Sequence, residues 1–252
     1  MTQKTETIRP KEKDTGIGLL NETSVHAFLK DYIDSDKAHQ EVKIGRYFAD
    51  VANESGIFEI QTRGFYKIRA KLACFLKESP VTLIYPVTVR KTLYWIDPAT
   101  GECSKGRRTP KRATVCEIWR ELPPIVDLLE CPGFSVRLVF LESEEYRVLD
   151  GFGAQKKYRA GHIDRCPQRL LSEMEVRTAA DLRRLFPEKL EKQEKFTSLD
   201  FAKEGRIPRK AAQNALRILN GYELVKRVSH DRFGYRYCLA GREELSEASN
   251  TI

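Results

Sequence analysis

One stretch of the chain, residues 41–61, constrains the fold more than any other. Its sequence, EVKIGRYFADVANESGIFEIQ, predicts strands with a tight reversal at Asn53–Gly56. The stretch carries two acids, Asp50 and Glu59, and Gln61 follows the second of them. Side chains two apart on a strand share a face, so Glu59 and Gln61 are expected to point the same way.

The length of the turn decides where the two acids lie. A two- or four-residue loop places Asp50 directly opposite Glu59, with Cβ atoms about 4.5–5.5 Å apart. Like charges in that arrangement repel each other, and a divalent cation with oxygen ligands would relieve the repulsion. A three-residue loop would instead send the acids to opposite faces. The alternative is an ordinary hairpin with both acids on a solvated face.

The neighbours of this hairpin add a second signal. A helix is predicted before it at Thr23–Ser35, another after it at Phe65–Glu78, and then an apolar strand at Val81–Val87. This order, around an acid, a second acid and Gln61, resembles the core of the PD-(D/E)XK nuclease superfamily in an E-x-Q variant. The resemblance implies an α/β fold with a restriction-endonuclease-like mixed sheet flanked by helices.

The resemblance also implies roles for individual residues. Asp50 and Glu59 match the two metal-binding acids, for Mg²⁺ or alternatively Mn²⁺. Gln61 occupies the place usually held by lysine, and Lys71 on the following helix is a candidate for the missing positive charge. Glu22, near the start of the first helix, is a further candidate metal ligand.

The residues on the helices also have purely structural interpretations. A carboxylate such as Glu22 is favoured near a helix N-terminus by the helix dipole. Lys71 lies on a stripe that is solvated in many helices. His26, one turn after Glu22, can face either solvent or the site, and a plain surface histidine is the preferred interpretation.

The charge of the chain favours a polyanionic partner. The 252 residues, enough for one large or two smaller domains, carry a net charge of +8. No apolar run approaches the roughly 20 residues of a membrane-spanning helix, so nucleic acid is the expected partner rather than a membrane. Residues 1–18 are polar, lack the apolar region of a signal peptide and are predicted to form a flexible tail.

The cysteines indicate a reducing compartment. They are scattered and form no C-x-x-C pair, which predicts reduced thiols in a cytoplasmic protein rather than a zinc site or a disulfide framework. They are Cys74, Cys103, Cys116, Cys131, Cys166 and Cys238.

Residues 19–165 are expected to form the nuclease-like domain. Its later part includes the loop Lys105–Arg112, in which five of eight residues are basic. Arg107 and Arg108 of this loop are candidates for phosphate contacts, although such loops are often only solvated. The remaining elements predicted here are a hairpin from Lys91 through the turn at Pro98–Gly101, a helix at Thr114–Leu129, and strands at Phe134–Leu141 and Glu145–Leu149.

Residues 166–195 are predicted to be a helical linker, with a break at Pro187, and residues 196–245 a small domain. In that domain a short helix at Thr197–Glu204 precedes a longer one that starts at Pro208 and ends at Gly221. Strands at Tyr222–Val228 and Tyr235–Leu239 complete a pattern that resembles a winged helix-turn-helix domain.

The longer of these helices has a polar face suited to DNA. Ala212, Leu216 and Leu219 are predicted to pack inward, which leaves basic and amide side chains to contact base edges and phosphates. The alternative is a winged helix that binds protein. The candidate DNA-binding residues are Arg206, Arg209, Lys210, Gln213, Asn214 and Arg217, with Arg232 and Arg236 on the wing.

Together these patterns predict a metal-dependent DNA endonuclease whose winged helix holds double-stranded DNA. The second hypothesis is a DNA-binding regulatory protein whose nuclease fold no longer cuts. Cleavage of both strands by one site per chain would require a homodimer, and the sequence leaves that arrangement open.

Overall fold

The fold is organised around one large mixed sheet. The computed structural model describes residues 24–110, 112–148, 161–232 and 234–241, so the predicted tail and Glu22 lie outside the described residues. The strands of the sheet are β1 Gln40–Ile44, β2 Tyr47–Asn53, β3 Gly56–Ile60, β4 Val81–Ile96, β5 Arg107–Arg108, β6 Phe134–Val148 and β7 Gly161–Val176. Within the described residues they follow the order β1-β2-β3-β4-β6-β7, and β5 pairs with β4.

The sheet combines a meander with a parallel centre. Strands β1, β2 and β3 are antiparallel, β3, β4 and β6 run parallel, and β7 is antiparallel to β6. Parallel neighbours need a crossover connection, and helix α2, Phe65–Phe75, provides it between β3 and β4. The predicted α/β class with a mixed sheet flanked by helices is confirmed.

Helices cover both faces of the sheet. Helix α1, Ser24–Ile33, buries Val25 and Leu29 against Phe58, Ile60 and other residues on one face. Helix α2 buries an apolar stripe on the opposite face, in the larger of the two clusters of buried residues. The buried apolar area on each face holds α1 and α2 against opposite faces of the sheet.

The central strands are longer than predicted. β4 continues without a break from Val81 to Ile96, past the end predicted at Val87. β6 is one strand of 15 residues, whereas two separate strands were predicted. The 15 register pairs that join these two strands explain the difference, because each strand extends as far as the other supports it.

Two helical predictions were wrong. The region predicted as one helix at Thr114–Leu129 forms two 3₁₀ helices, Val115–Arg120 and Pro123–Glu130, because prolines at 123 and 124 interrupt the backbone hydrogen bonding. Residues 166–176, predicted as part of a helical linker, belong to β7 and pair with β6. Only the later part of that linker is helical, in 3₁₀ segments on either side of Pro187.

The C-terminal elements form a second, three-stranded sheet with two helices. They are β8 Phe196–Thr197, α3 Ser198–Gly205, α4 Arg209–Gly221, β9 Val225–Asp231 and β10 Gly234–Leu239. The strand order is β8-β10-β9. Thr197 and Asp200 form a capping box at the start of α3, which stabilises that helix by satisfying its free amides.

The ends of α4 differ slightly from the prediction. Pro208 is the N-cap residue rather than the first helical residue. Gly221 is the last helical residue, as predicted, and the left-handed conformation that follows the helix is adopted by Glu223, whose φ is 57°. The helix itself lies where it was predicted, because its apolar residues recur at helical spacing.

The C-terminal elements pack directly against the first part of the chain. The Thr114 hydroxyl donates to the carbonyl oxygen of Gly205 at 2.7 Å, and the Tyr222 hydroxyl donates to the Glu130 carboxylate at 2.7 Å. Buried residues of α4 belong to the same cluster as those of segment 115–130 and of the central sheet. A continuous core therefore joins the two sheets. No helix among the described residues is long and apolar enough to cross a membrane.

Candidate active site

The β2–β3 hairpin has the register that brings its two acids together. Its loop is two residues long, and the pairs Asn53–Gly56, Ala52–Ile57 and Val51–Phe58 lead next to Asp50 and Glu59. Gly56 is required in this turn, because its φ is 126° and a Cβ there would lie 2.7 Å from the carbonyl oxygen of Pro80. The turn thus allows β3 to approach β4 while it fixes the acids opposite each other.

The ladder between β2 and β3 opens at the acid pair. The Asp50 carboxylate accepts a hydrogen bond from the backbone amide of Ile60 at 2.6 Å. That amide would otherwise continue the ladder toward Ala49. A side-chain carboxylate therefore replaces a backbone carbonyl, and the strands separate beyond this point.

Glu59 is buried and contacts Lys71. Its residue surface is 3% exposed, and the Lys71 ammonium donates to Oε1 of Glu59 at 2.5 Å. Its other oxygen, Oε2, is buried and has no hydrogen-bond partner among the described residues. A buried oxygen without a hydrogen-bond partner is costly, and either a proton on Glu59 or a bound cation would reduce that cost.

The two carboxyl groups titrate as an interacting pair. Burial raises the pKa of Glu59 to about 8; the charge of Asp50 acts in the same direction, and Lys71 acts against both. Burial also raises the pKa of Asp50, against the hydrogen bond from Ile60 and the charge of Lys71. Around neutral pH the pair therefore holds a proton, predominantly on Glu59.

Three further residues lie around the acid pair. Two of them were not predicted as site residues, and the third, His26, was predicted to lie on the surface. Glu41 on β1 lies opposite Asp50 in the register and binds the buried Lys30 ammonium of α1 at 2.8 Å. His26, predicted as a surface residue, is half-buried and donates from Nε2 to the carbonyl oxygen of Ile60 at 3.0 Å. The equal spacing of residues 41, 50 and 59 is the signal that would have identified Glu41.

Gln61 does not extend toward the acid pair. Its side-chain amide donates to the backbone carbonyl of Arg63 at 2.6 Å. No group of three or more His, Cys, Asp or Glu side chains among the described residues is arranged as a complete metal site. Asp50 and Glu59 alone therefore provide at most a partial set of protein ligands, and a cation there would keep other oxygen ligands, as Mg²⁺ commonly does.

Comparison with known proteins identifies the family. Residues 23–177 match a family described as Domain of unknown function (DUF8091), and the match covers the large sheet from α1 to the end of β7. The chain belongs to the DUF8091 family. An uncharacterized protein of Treponema pallidum (strain Nichols) is 30% identical over 167 residues, which cover 66% of this chain and 66% of the length of that relative. No solved structure matches the chain.

The acid pair and Lys71 lie inside the DUF8091 segment, whereas most candidate DNA-binding residues follow it. On α4 the predicted inward residues Ala212, Leu216 and Leu219 are buried, as expected. The outward side chains are exposed except that of Asn214, which is half-buried. The exposed ones on α4 are Arg209, Lys210, Gln213 and Arg217.

The remaining candidates lie around this helix or within the DUF8091 segment. Arg206, in a left-handed conformation between α3 and α4, is exposed and donates to the carbonyl oxygen of Arg112 at 3.4 Å. Arg232 is exposed at the β9–β10 turn, and Arg236 binds Asp231 at 3.1 Å. In the DUF8091 segment, Arg107 and Arg108 form the exposed strand β5 on the large sheet. This pair lies on the large sheet, whereas Arg236 lies on the second sheet, which β8, β10 and β9 form.

Proposed function

We propose that the chain is a metal-dependent DNA endonuclease of the PD-(D/E)XK type, in which the C-terminal elements are a winged helix that holds the duplex. The observation that carries the proposal is the arrangement of Asp50, Glu59 and Lys71. The two carboxyl groups lie opposite each other on neighbouring strands, and Lys71 donates to one of them. One buried oxygen has no hydrogen-bond partner among the described residues. This arrangement suits a divalent cation.

Each residue has a distinct role under this proposal. Asp50 and Glu59 would hold Mg²⁺ or Mn²⁺, and the bound cation supplies activation of water together with stabilisation of charge on the phosphate. Lys71 replaces the lysine absent at position 61 and holds Glu59 in place. Gln61 carries no titratable proton and cannot act as a general base.

The order of the C-terminal elements supports the DNA-holding role. Two helices joined by a short turn precede a hairpin, and β8 adds a third strand to it. In a winged helix the second of the two helices enters the major groove. Here that helix is α4, whose exposed face carries Arg209, Lys210 and Arg217.

One observation favours the second hypothesis, a DNA-binding regulatory protein with an inactive nuclease fold. The Gln61 amide donates to the carbonyl oxygen of Arg63, and the Lys71 ammonium already occupies Oε1 of Glu59. In this case the chain would bind DNA without cutting it.

A cleavage assay separates the two hypotheses. Purified full-length chain is incubated with plasmid DNA and Mg²⁺ or Mn²⁺, with EDTA as control. We expect metal-dependent cleavage that Asp50→Ala abolishes and that Asp127→Ala, at an exposed surface ion pair with Arg69, leaves unchanged.

The outcomes distinguish clearly between the hypotheses. Cleavage by the Asp50→Ala variant at the parent rate would refute the site assignment. DNA binding without cleavage by the parent chain under every metal condition would favour the regulatory protein.

A further inference from the structure

One edge of β4, the edge opposite β6, has no partner strand between Ile84 and Lys91 among the described residues, and this edge borders a cavity. The contact between β3 and β4 ends where the amide of Gln61 donates to the carbonyl oxygen of Ile84. The contact between β5 and β4 begins where the amide of Thr109 donates to the carbonyl oxygen of Lys91. Between these points lies a cavity of about 660 Å³. Small-molecule sites commonly have volumes of roughly 300–1,000 Å³, so the gap has the size of a ligand site.

Three basic side chains line this cavity and converge on one buried acid. All three donate to the Glu145 carboxylate: Lys91 at 2.6 Å, Arg147 at 2.6 Å and Arg165 at 3.3 Å. Glu145 is only 1% exposed. Three positive charges around one negative charge leave the cluster with an excess of two.

The cluster has donors left for a ligand. A lysine has three donor hydrogens and an arginine five, of which Glu145 occupies only some. Nε of Arg165 is buried and has no hydrogen-bond partner in the part of the chain that the structure describes. The cavity wall also carries Glu117, but that carboxylate is paired with Arg120 at 2.7 Å.

The cavity lies beside the proposed active site. Thr62, in its wall, follows Glu59 by three residues, which corresponds to about 10 Å along an extended chain. The wall of the cavity therefore begins within about 10 Å of Glu59. Thr88 lines the cavity as well, and its side chain carries a neutral hydrogen-bonding group.

We infer that this cavity binds the phosphate monoester of a single nucleotide, either free or at the 5′ end of a DNA strand. A phosphate monoester carries up to two negative charges near neutral pH, which match the excess of two on the cluster. The volume admits one nucleotide but not a duplex. The nucleotide part of this inference rests on the proposed function, whereas the phosphate part rests on the basic cluster alone.

Binding is measured in EDTA, so that the result does not depend on cleavage. The affinities of the full chain for 3′-labelled single-stranded oligonucleotides with a 5′-phosphate and with a 5′-hydroxyl are compared by fluorescence anisotropy. We expect the 5′-phosphate to strengthen binding about 10- to 100-fold, the contribution of one or two charge-assisted hydrogen bonds. Competition with nucleoside 5′-monophosphate and with inorganic phosphate identifies the source of the phosphate.

Matched variants test the cluster. Lys91→Gln should remove the preference for the 5′-phosphate, and Lys91→Arg should retain it. Arg90→Gln, the same loss of charge at an exposed neighbouring position, should also retain it. Thr88→Leu should weaken the preference without touching Glu145, which guards against misfolding of the Lys91 variant.

Each result has a definite meaning. If a nucleoside 5′-monophosphate competes as strongly as an unlabelled 5′-phosphate oligonucleotide, the ligand is a free nucleotide. If the monophosphate competes more weakly, the ligand is the end of a strand. Competition by inorganic phosphate, with no binding of any nucleotide, would overturn the nucleotide part. Equal affinity for the 5′-phosphate and 5′-hydroxyl oligonucleotides, or equal losses in Lys91→Gln and Arg90→Gln, would overturn the phosphate site.

Discussion

Replacing Glu59 with glutamine should make the folded chain more stable at high pH. The substitution removes the ionisable group and keeps its shape. Oε1 of the amide can still accept from Lys71, which now contacts Glu59 at 2.5 Å. The new amide nitrogen can donate to Asp50, so a repulsion between two carboxylates becomes a hydrogen bond.

The magnitude follows from the difference between the folded and unfolded pKa of Glu59. Burial raises that pKa from 4.5 to about 8, so the folded state binds the proton more tightly than the unfolded chain. Ionisation of Glu59 therefore costs no stability below about pH 4.5, and an increasing amount as the pH rises to about 8. At about 1.4 kcal/mol per pH unit, the cost is about 3 kcal/mol at pH 7 and about 5 kcal/mol above pH 8.

Urea unfolding of the parent and of Glu59→Gln at pH 5 and pH 8.5 measures this effect. We expect the free energies of unfolding to be close at pH 5, and the variant to be more stable by about 3–5 kcal/mol at pH 8.5. Glu54→Gln, at an exposed position in the turn of the same hairpin, is the control and should change little at either pH.

The reasoning would be refuted by a variant that is no more stable than the parent at pH 8.5. A gain of equal size at both pH values would refute it as well, because it would show that the effect comes from packing rather than from ionisation. A large pH-dependent gain in the Glu54→Gln control would show that the hairpin, rather than the buried carboxyl group, responds to pH.

Two further predictions concern the C-terminal elements. Lys210→Gln and Arg217→Gln should each weaken binding to duplex DNA and reduce the steepness of log affinity against log salt by about one. Anisotropy titrations at several salt concentrations measure this slope. An unchanged slope would argue against phosphate contacts by α4. Leu216→Ala should lower the free energy of unfolding by about 2–5 kcal/mol in urea denaturation. The reason is that Leu216 is fully buried in the core that α4 shares with segment 115–130. A loss below about 1 kcal/mol would show that this part of the core is loosely packed.

The hairpin at the acid pair was predictable because its determinants are local. The turn at positions 53–56 was predicted from its residues, whereas the length of its loop was left open; the structure shows a two-residue loop, which places Asp50 opposite Glu59. Helix α4 was predictable for a similar reason, since its buried residues recur at helical spacing. Lys71 was identified as a candidate for the site, and the structure places its ammonium on Glu59.

The parts that the sequence did not predict depend on contacts between distant elements. β7 contains Pro167 and many charged residues, and it forms a strand because β6 pairs with it. The spacing of residues 41, 50 and 59 indicates that Glu41 lies opposite Asp50, but it predicts neither the backbone φ of 53° at Glu41 nor the contact of Glu41 with Lys30 on α1. His26 reaches Ile60 only because α1 packs across β3.

The continuous core between α4 and the large sheet has a mechanical consequence. Trp119 donates from Nε1 to the carbonyl oxygen of Leu185 at 3.0 Å, and the Thr114 hydroxyl donates to the carbonyl oxygen of Gly205, so hydrogen bonds as well as buried residues connect α4 and its neighbours to the large sheet. Under the proposed function, these connections would set the distance between the acid pair and α4. The bond that reaches Asp50 would lie at a constant number of base pairs from the groove that α4 occupies, whatever the sequence in between.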